Sequence, residues 1–194
     1  MIFYATKETL TRYSLKTPSG MSAPMKAIVN AVIKKEAGNP LYEWGCKLFH
    51  FDRRKCLQIM HFKTRLVIFL VDIKKADIEN APNLVAQYLF ALYEDDKQMQ
   101  TALEQYFKSS PTVYFDAIKN RSIITKMNQI QTMWARDGYR FYDYLRDRIL
   151  HTMEINKDVN DYPFPEKVDG KEEWQIPYLY FAETIKKHFG TPEN

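Results

Sequence analysis

Four residues of the types that bind metal ions lie close together in the sequence: Cys46, His50, Cys56 and His61. Thiolates and imidazoles are the usual ligands of a tetrahedral zinc ion. If the chain forms an antiparallel hairpin with a turn at residues 52–55, Cys46 lies opposite His61, whereas Cys56 points to the other face of the sheet. A closed four-ligand site fails in this register. We therefore expect reduced cysteines, half-buried histidines and no metal or other cofactor.

A second group capable of chemistry is the carboxylate-rich run at residues 136–148. Asp137, Asp143 and Asp147 could bind Mg²⁺ in an enzyme that acts on nucleic acid. Acidic and basic residues alternate along this run, however, and at helical spacing such residues pair with each other on a solvated surface. The pattern therefore favours an ion-paired helix face over a metal site.

Sequence motifs of common enzyme classes are absent. The six glycines are scattered rather than gathered in a phosphate-binding loop, and the chain has neither a Gly-x-Ser-x-Gly elbow nor a His-Glu-x-x-His helix. We therefore expect a protein that acts by binding rather than by catalysis.

The distribution of charge is the strongest functional signal. Residues 45–75 contain eight basic and two acidic side chains, a local charge of +6 in a chain whose net charge is +4. Positive charge concentrated on one segment indicates an anionic partner, either nucleic acid or the acidic surface of a protein. Solvated turns that bind nothing are the alternative, since lysine and arginine suit exposed loops.

The same segment predicts a three-stranded antiparallel meander. Residues 47–51, 56–62 and 66–71 are rich in aromatic and β-branched side chains, and short polar turns separate them. Apolar residues on both faces of the third strand predict a central strand that is covered on both sides. Residues 1–5 and 112–118 have the composition of two further strands. The predicted fold class is α+β, with flanking helices and a mainly antiparallel sheet of about five strands.

Segments with apolar residues at helical spacing lie before and after the predicted strands in the sequence. Ser22 and Pro24 begin an amphipathic helix whose apolar positions include Met25 and Ile28, and Gly38 ends it. Apolar spacing predicts two more helices before the last strand of the sheet and two long helices after it.

The C-terminal part has a different composition. Residues 156–177 contain prolines, a glycine and many charges, which predicts a surface linker, and the spacing after Tyr178 predicts a last helix that ends at Gly190. The predicted organisation is an α+β core domain at residues 1–156, followed at residues 157–194 by a linker and a C-terminal helical appendage docked on the core.

Composition indicates a folded protein, because 45% hydrophobic and 14% aromatic residues are enough to fill a sizeable core. The first residues lack the basic and apolar regions of a signal peptide, and the longest apolar run, at residues 66–71, is too short to cross a membrane. We expect a cytoplasmic protein without a membrane partner, and the sequence does not predict its oligomeric state.

Meander geometry locates the positive charge. Because successive turns lie at opposite ends of a sheet, the first turn and the exit of the third strand share one end. They bring together five cations, which we call the basic rim: Arg53, Arg54, Lys55, Lys74 and Lys75. A rim of this charge could hold about two or three phosphates, and the release of counterions would make binding steeply salt-dependent.

A set of short motifs occurs in order along residues 1–150. They are Thr6-Lys7 after the N-terminal strand, Glu43-Trp44-Gly45-Cys46-Lys47, Asp52-Arg53-Arg54-Lys55, Asn120-Arg121-Ser122 and Met127-Asn128. Together they resemble a family of short bacterial and phage-borne α+β proteins that is recorded only as a domain of unknown function. Asp52 and Cys56 depart from the family pattern, which has Asn and Thr there, and the tail after Asn156 lies outside it. The resemblance implies an α+β fold and a bacterial or mobile-element origin, and it implies no activity.

Two residues of these motifs join the candidate site. Arg121, near the start of a long helix, could join the basic rim, and Asn128 is an unusual residue in mid-helix unless its amide forms a hydrogen bond.

The sequence thus predicts a non-catalytic protein that binds nucleic acid or a nucleoprotein complex. The candidate binding residues are Arg53, Arg54, Lys55, Lys74, Lys75, Arg121 and Asn128. A phage or mobile-element inhibitor of a host defence complex, as anti-CRISPR proteins are, is one concrete version. An Mg²⁺-dependent enzyme acting on nucleic acid is one alternative, and a structural module that associates through its C-terminal helix is another.

Overall fold

A five-stranded sheet is the centre of the computed structural model, which describes residues 1–111, 113–168 and 170–190. Its strands are β1 Ile2–Ala5, β2 Glu43–Phe51, β3 Arg54–His61, β4 Val67–Val71 and β5 Tyr114–Ala117. Their order across the sheet is β4-β3-β2-β1-β5. The predicted meander is confirmed as β2, β3 and β4. The two further predicted strands are β1 and β5, and Thr112 of the second prediction lies outside the described residues.

The sheet is mixed, which corrects the prediction of a mainly antiparallel one. The β2–β3 and β3–β4 pairs are antiparallel, whereas β1 pairs in parallel with both β2 and β5. Parallel neighbours need a long crossover, and the two helices between β1 and β2 form it. The α+β class of the prediction is confirmed.

The prediction of a central third strand is wrong, because β4 lies at the edge of the sheet. Its two faces are covered as predicted, but its outer edge meets helix α6 (Thr152–Asn160). The Asn160 side chain accepts a hydrogen bond from the Val67 amide and donates one to the Val67 carbonyl, both at 2.7 Å. Asn156 does the same for Phe69, at 2.7 and 3.3 Å. These two side chains satisfy backbone groups that an open edge would expose.

Seven α-helices lie within the described ranges. They are α1 Lys7–Tyr13, α2 Ala23–Glu36, α3 Ala81–Leu92, α4 Lys97–Ser109, α5 Arg121–Arg136, α6 Thr152–Asn160 and α7 Pro177–Phe189. Short 3-10 helices occur at Pro18–Gly20, Lys75–Asn80 and Phe141–Tyr144. The side chains of Thr6, Asp96 and Asn120 cap α1, α4 and α5 by accepting hydrogen bonds from amides of the first turn. Such caps fix where a helix begins.

Helices cover both faces of the sheet. On one face, α1, α3, α4 and α7 form a core with the even-numbered residues of β2, in which Trp44, Leu57 and Phe181 are fully buried. On the other face, α5 and α6 pack over Phe69, and α2 packs over Ile2. This three-layer arrangement leaves the turns at the two ends of the sheet on the surface.

The amphipathic helix predicted after Ser22 forms as α2, but the first part of its predicted core face is exposed. Met25 and Ile28 are 50% and 56% exposed, and Val29 is the buried apolar residue of the helix. The reason is that α2 covers only the margin of the sheet formed by β1 and β5, so a narrow stripe of the helix makes the contact.

The second long helix predicted after Gly138 does not form. The chain leaves α5 through a 3-10 helix, a short hairpin and then α6, the hairpin strands being β6 Leu145–Arg146 and β7 Ile149–Leu150. Phe141 and Tyr144 of the 3-10 helix are buried against Trp134. Aromatic packing in the tertiary structure therefore overrides the helical spacing of the sequence.

The surface linker predicted at residues 156–177 is a folded segment instead. Its first residues complete α6, and an antiparallel hairpin follows, with strands β8 Phe164–Val168 and β9 Lys171–Gln175. Proline is tolerated in edge strands, and Gly170, at a φ of 81°, takes the left-handed conformation that a tight turn requires. The predicted boundary between residues 156 and 157 therefore falls inside α6.

The predicted C-terminal helix forms as α7 and ends at Gly190. Phe181 and Ile185 are fully buried in the core that the helix shares with α4. Residues 191–194 of the predicted appendage lie outside the described part of the chain.

Candidate functional site

The turn between β2 and β3 consists of two residues, Asp52 and Arg53. The sequence predicted a four-residue turn at 52–55, but Arg54 and Lys55 already belong to β3. Asp52 and Arg53 have φ values of 47° and 62°, both in the left-handed region. A two-residue turn with this geometry favours Asn or Asp followed by Gly, because other side chains cost about 1 kcal/mol there. Arginine at the second position is therefore an energetically unfavourable choice.

The basic rim forms at this end of the sheet. The amide of Asp72, just after β4, donates to the carbonyl of Lys55 at 2.7 Å, which holds the exit of β4 beside the start of β3. Lys55, Lys74 and Lys75 line one surface depression of about 510 Å³. Three of the five predicted cations thus face the same space.

Arg12, which is not among the residues predicted from the sequence, lines this depression as well. The last turn of α1 reaches the rim, where the Lys75 ammonium donates to the hydroxyl of Ser14 at 2.8 Å. The parallel pairing of β1 with β2 explains the position of Arg12. Because of this pairing, α1 begins beside the middle of β2 and extends toward the rim.

Two carboxylates at the rim already have partners. Asp72 forms an ion pair with Arg54, so this arginine is neutralised. Asp77 accepts a hydrogen bond from the backbone amide of Lys74 at 3.0 Å. Among the described residues, no carboxylate forms an ion pair with the remaining rim cations or with Arg12, and these residues set the positive charge of the surface.

A third carboxylate, Asp52, is also occupied. It accepts a hydrogen bond from the amide of Phe141, and one of its oxygens lies 3.9 Å from the Nε atom of Arg140. This contact joins the 3-10 helix after α5 to the β2–β3 turn. It also places a further, half-exposed arginine beside the basic rim.

The structure does not bring the other two candidate residues into the depression at the rim. Arg121 is the exposed first residue of α5, and no ion pair to it occurs in the described ranges. Asn128 lies in the middle of α5, where its side chain accepts a hydrogen bond from the ammonium of Lys47. The mid-helix asparagine therefore forms a side-chain hydrogen bond, as the sequence predicted.

The four residues of metal-ligand type do not converge. Cys46 lies opposite Ile59, not opposite His61 as predicted, and Cys56 is on the other face of the sheet. No group of three or more His, Cys, Asp or Glu residues in the described ranges could hold a metal ion. Burial raises the pKa of the Cys46 thiol and raises the pKa of Cys56 to about 12, so both stay protonated at neutral pH.

His61 has a structural role in a buried hydrogen-bond network. Its Nε2–H donates to the carbonyl of Leu41 at 3.1 Å, and its Nδ1 accepts from the hydroxyl of Thr64 at 2.9 Å. A carbonyl oxygen can only accept, so Nε2 carries a hydrogen, and Nδ1 of the neutral ring is free to accept from the hydroxyl. Burial lowers the pKa of His61 to about 4. The ring is therefore neutral in the folded protein at physiological pH.

The carboxylates considered for Mg²⁺, Asp137, Asp143 and Asp147, do not share one α-helix. Asp137 directly follows α5, and Asp143 lies in the 3-10 helix Phe141–Tyr144. Asp137 pairs with Arg136 at 2.7 Å, and Asp147, at a φ of 50°, occupies the turn between β6 and β7. Arg146 pairs with Glu154 of α6 at 2.6 Å. Ion pairing is thus a feature of the run as expected, although the partners differ from those that helical spacing predicts.

None of the helices in the described ranges has the length and apolar character needed to cross a membrane.

Comparison with known proteins identifies a family. No curated protein and no solved structure matches the chain. A family model described as Domain of unknown function (DUF6933) matches residues 2–179, so the match continues past residue 150 through α6 and the β8–β9 hairpin into α7. The chain therefore belongs to the DUF6933 family, a domain of unknown function.

Proposed function

We propose that this protein binds nucleic acid, alone or within a nucleoprotein complex, through the basic rim together with Arg12, and that it acts without catalysis. The observation that carries the proposal is the shared depression lined by Arg12, Lys55, Lys74 and Lys75. Their charges are not cancelled by ion pairs in the described residues, and they meet at one end of the sheet.

The chemistry of these cations suits a phosphate backbone. Ammonium and guanidinium groups contact phosphate oxygens without reading sequence, and each contact releases a condensed counterion. The nearby carboxylates support this arrangement, because Asp72 and Asp52 already interact with Arg54, Arg140 and a backbone amide and repel an approaching anion less than free carboxylates would.

The position of Arg53 supports the same proposal. Arg53 is an exposed residue of the β2–β3 turn, at the end of the sheet that carries the depression, and no ion pair to it occurs in the described residues. Its charge therefore adds to the positive charge of the rim.

We also propose a biological setting. The resemblance to bacterial and phage-borne proteins supports a bacterial or mobile-element origin and action in the cytoplasm. A phage or mobile-element protein that inhibits a host nucleic-acid-targeting complex, as anti-CRISPR proteins do, is the concrete version. The rim would then bind the nucleic acid of that complex.

The experiment is fluorescence-anisotropy titration of short labelled RNA and DNA with two charge-matched variants. The first, Lys55→Gln/Lys74→Gln/Lys75→Gln, removes three rim cations and leaves the Arg54–Asp72 pair intact. The second, Lys26→Gln/Lys34→Gln/Lys97→Gln, removes three exposed cations on α2 and α4. Incubation of the same probes with Mg²⁺ tests the enzyme alternative, since binding alone leaves the nucleic acid intact.

We expect the rim variant to lose affinity by about a hundredfold and the control variant to lose far less, because net charge alone acts weakly at a distance. Equal losses in the two variants would show that the rim is not a site. Absence of binding at low salt would overturn direct nucleic-acid recognition and leave an acidic protein surface as the partner.

A further inference from the structure

A cavity of about 740 Å³ lies between α5 and the β8–β9 hairpin. Arg65, in the turn between β3 and β4, lies at one side of it, so the cavity is at the opposite end of the meander from the basic rim. Its volume is within the range of sites that hold small molecules. It is therefore a separate candidate site.

The walls of the cavity are mainly apolar. They include Ile130 and Met133 of α5, Pro163 and Phe164 after α6, and Trp174 of β9. Trp174 is 68% exposed, which is unusual because tryptophan side chains are highly buried on average. Flat aromatic and proline surfaces on two sides of a cleft suit a flat apolar ligand.

Two buried donors at the cavity lack hydrogen-bond partners. Trp134 is only 2% exposed and lines the cavity, and its indole Nε1–H has no acceptor. The Nε–H of Arg65 is likewise buried without an acceptor. Buried N–H groups are nearly always paired, so two unpaired donors among the lining residues are an unusual feature of this cavity.

The charged side chains that line the cavity are cations. They are Arg65, Lys126 and Arg136, and no aspartate or glutamate is among the described lining residues. Arg136 pairs with Asp137, which does not line the cavity. The Arg65 guanidinium donates to Glu166 at 3.2 Å and lies 4.3 Å from the centre of the Phe164 ring.

The charge of Glu166 also acts on Lys126. Burial lowers the pKa of Lys126, the charge of Arg65 lowers it further, and the charge of Glu166 raises it. Two cations therefore share one carboxylate, and an anion placed between them would relieve their repulsion.

We propose that this cavity binds a small organic anion with a flat aromatic body, whose carboxylate or phosphate lies between Arg65 and Lys126 and whose rings pack against Phe164 and Trp174. Lys126 and Trp134 are eight residues apart on α5, about 12 Å along the helix axis, which matches a ligand of two linked or fused rings. This site goes beyond the proposed function, because it uses none of the rim residues.

The test compares two fluorescent probes that share one aromatic body. Anilinonaphthalene sulfonate carries an anionic group, and N-phenylnaphthylamine lacks it. Both are titrated against the full chain and against Lys126→Met and Trp174→Ala, which change partly or largely exposed side chains. Lys97→Met is the control, since Lys97 is an exposed residue of α4 that does not line the cavity. Far-UV circular dichroism checks the fold of each variant.

We expect one saturable site for the sulfonate and binding of the uncharged probe weaker by about tenfold. Lys126→Met should weaken the sulfonate by about tenfold and leave the uncharged probe unchanged, whereas Trp174→Ala should weaken both. Equal affinity for the two probes, or an equal response of both to Lys126→Met, would overturn the proposal. The absence of saturable sulfonate binding would overturn it as well.

A competition measurement keeps the proposal testable without any variant. Naphthoate should displace the bound sulfonate from the native chain, whereas naphthylmethanol, which has the same rings and no charge, should not. Displacement by both compounds alike would contradict an anion site. Excess DNA should not displace the sulfonate probe from the cavity, because the proposed DNA site is the basic rim at the other end of the meander.

Discussion

Asp72 forms an ion pair with Arg54 across the end of the meander. Both side chains are partly exposed, so the pair contributes only about 0–1 kcal/mol to stability. Its importance is electrostatic: it neutralises one arginine of the rim and leaves Lys55, Lys74 and Lys75 without a carboxylate partner in the described residues. Because Asp72 pairs with Arg54, the three lysines provide the unpaired positive charge of the proposed site.

Removal of this carboxylate should strengthen nucleic-acid binding. Asp72→Asn frees Arg54 and raises the rim charge by one, and asparagine suits the left-handed conformation at this position, where φ is 57°. We expect the affinity for a short DNA duplex to rise by roughly fivefold at low salt. Arg54→Ala should lower it, because Asp72 then remains as a free anion. Anisotropy titration measures both, and equal affinities for the three proteins would refute a rim site.

The turn residue Arg53 should show opposite effects on stability and on binding. Arg53→Gly removes a side chain from a left-handed position, so the free energy of unfolding should rise by about 1 kcal/mol in urea titration. The same change removes a rim cation, so affinity for DNA should fall by about fivefold.

Arg148 provides the matched control for this variant. The β6–β7 hairpin also turns on an Asp-Arg pair, and Arg148 has a φ of 65° beside the 62° of Arg53. Arg148→Gly should therefore raise stability by a similar amount and leave DNA affinity unchanged. If both variants weaken binding equally, the turn arginines act through net charge and the rim has no special role.

The buried imidazole of His61 should make stability fall in mild acid. Its pKa is about 4 in the folded protein, below the ordinary value of about 6.5 in the unfolded chain. Between these values the unfolded chain binds more protons, so stability decreases as the pH falls from about 6.5 toward 4. We expect a loss of about 2 kcal/mol between about pH 7 and pH 5, measured by urea unfolding.

His61→Gln should be less stable at neutral pH and should lack most of this decrease, whereas His50→Gln, at an exposed position, should keep it. The explanation fails if the pH dependence survives in His61→Gln.

The asparagines that cover the edge of β4 should be important for stability. Asn156→Ala and Asn160→Ala each leave a buried amide and a buried carbonyl of β4 without a partner, which costs about 1–3 kcal/mol. Asn30→Ala, on the exposed side of α2, should change stability by less than about 0.5 kcal/mol. Urea unfolding checks the three variants, and similar values for all of them would show that water replaces the lost bonds.

Much of the fold was predictable because its signals are local. Aromatic and β-branched runs separated by polar turns predicted the meander, and apolar spacing predicted the long helix after it, α5. The parallel pairing of β1 could not be read from composition, since a four-residue strand looks the same in either direction. The covered edge of β4 depends on Asn156 and Asn160, which lie some ninety residues away in the sequence and carry no signal of their contact.

The candidate site was predicted in part. The meander placed Lys55, Lys74 and Lys75 at one end of the sheet, and the structure places these three around one depression. Arg12 was missed because its position depends on the parallel crossover. The cavity beside Trp134 was missed because one of its walls is formed by residues within 159–177, which belong to the segment predicted to be a surface linker.

The most direct test of the central claim is the salt dependence of DNA binding. Plotted as the logarithm of the binding constant against the logarithm of salt concentration, the native chain should give a slope of about −4, as expected for four or five phosphate contacts. Lys55→Gln/Lys74→Gln/Lys75→Gln should reduce the slope to about −1, and the charge-matched control on α2 and α4 should leave it near −4. Equal slopes for the two triple variants would contradict a nucleic-acid site at the basic rim.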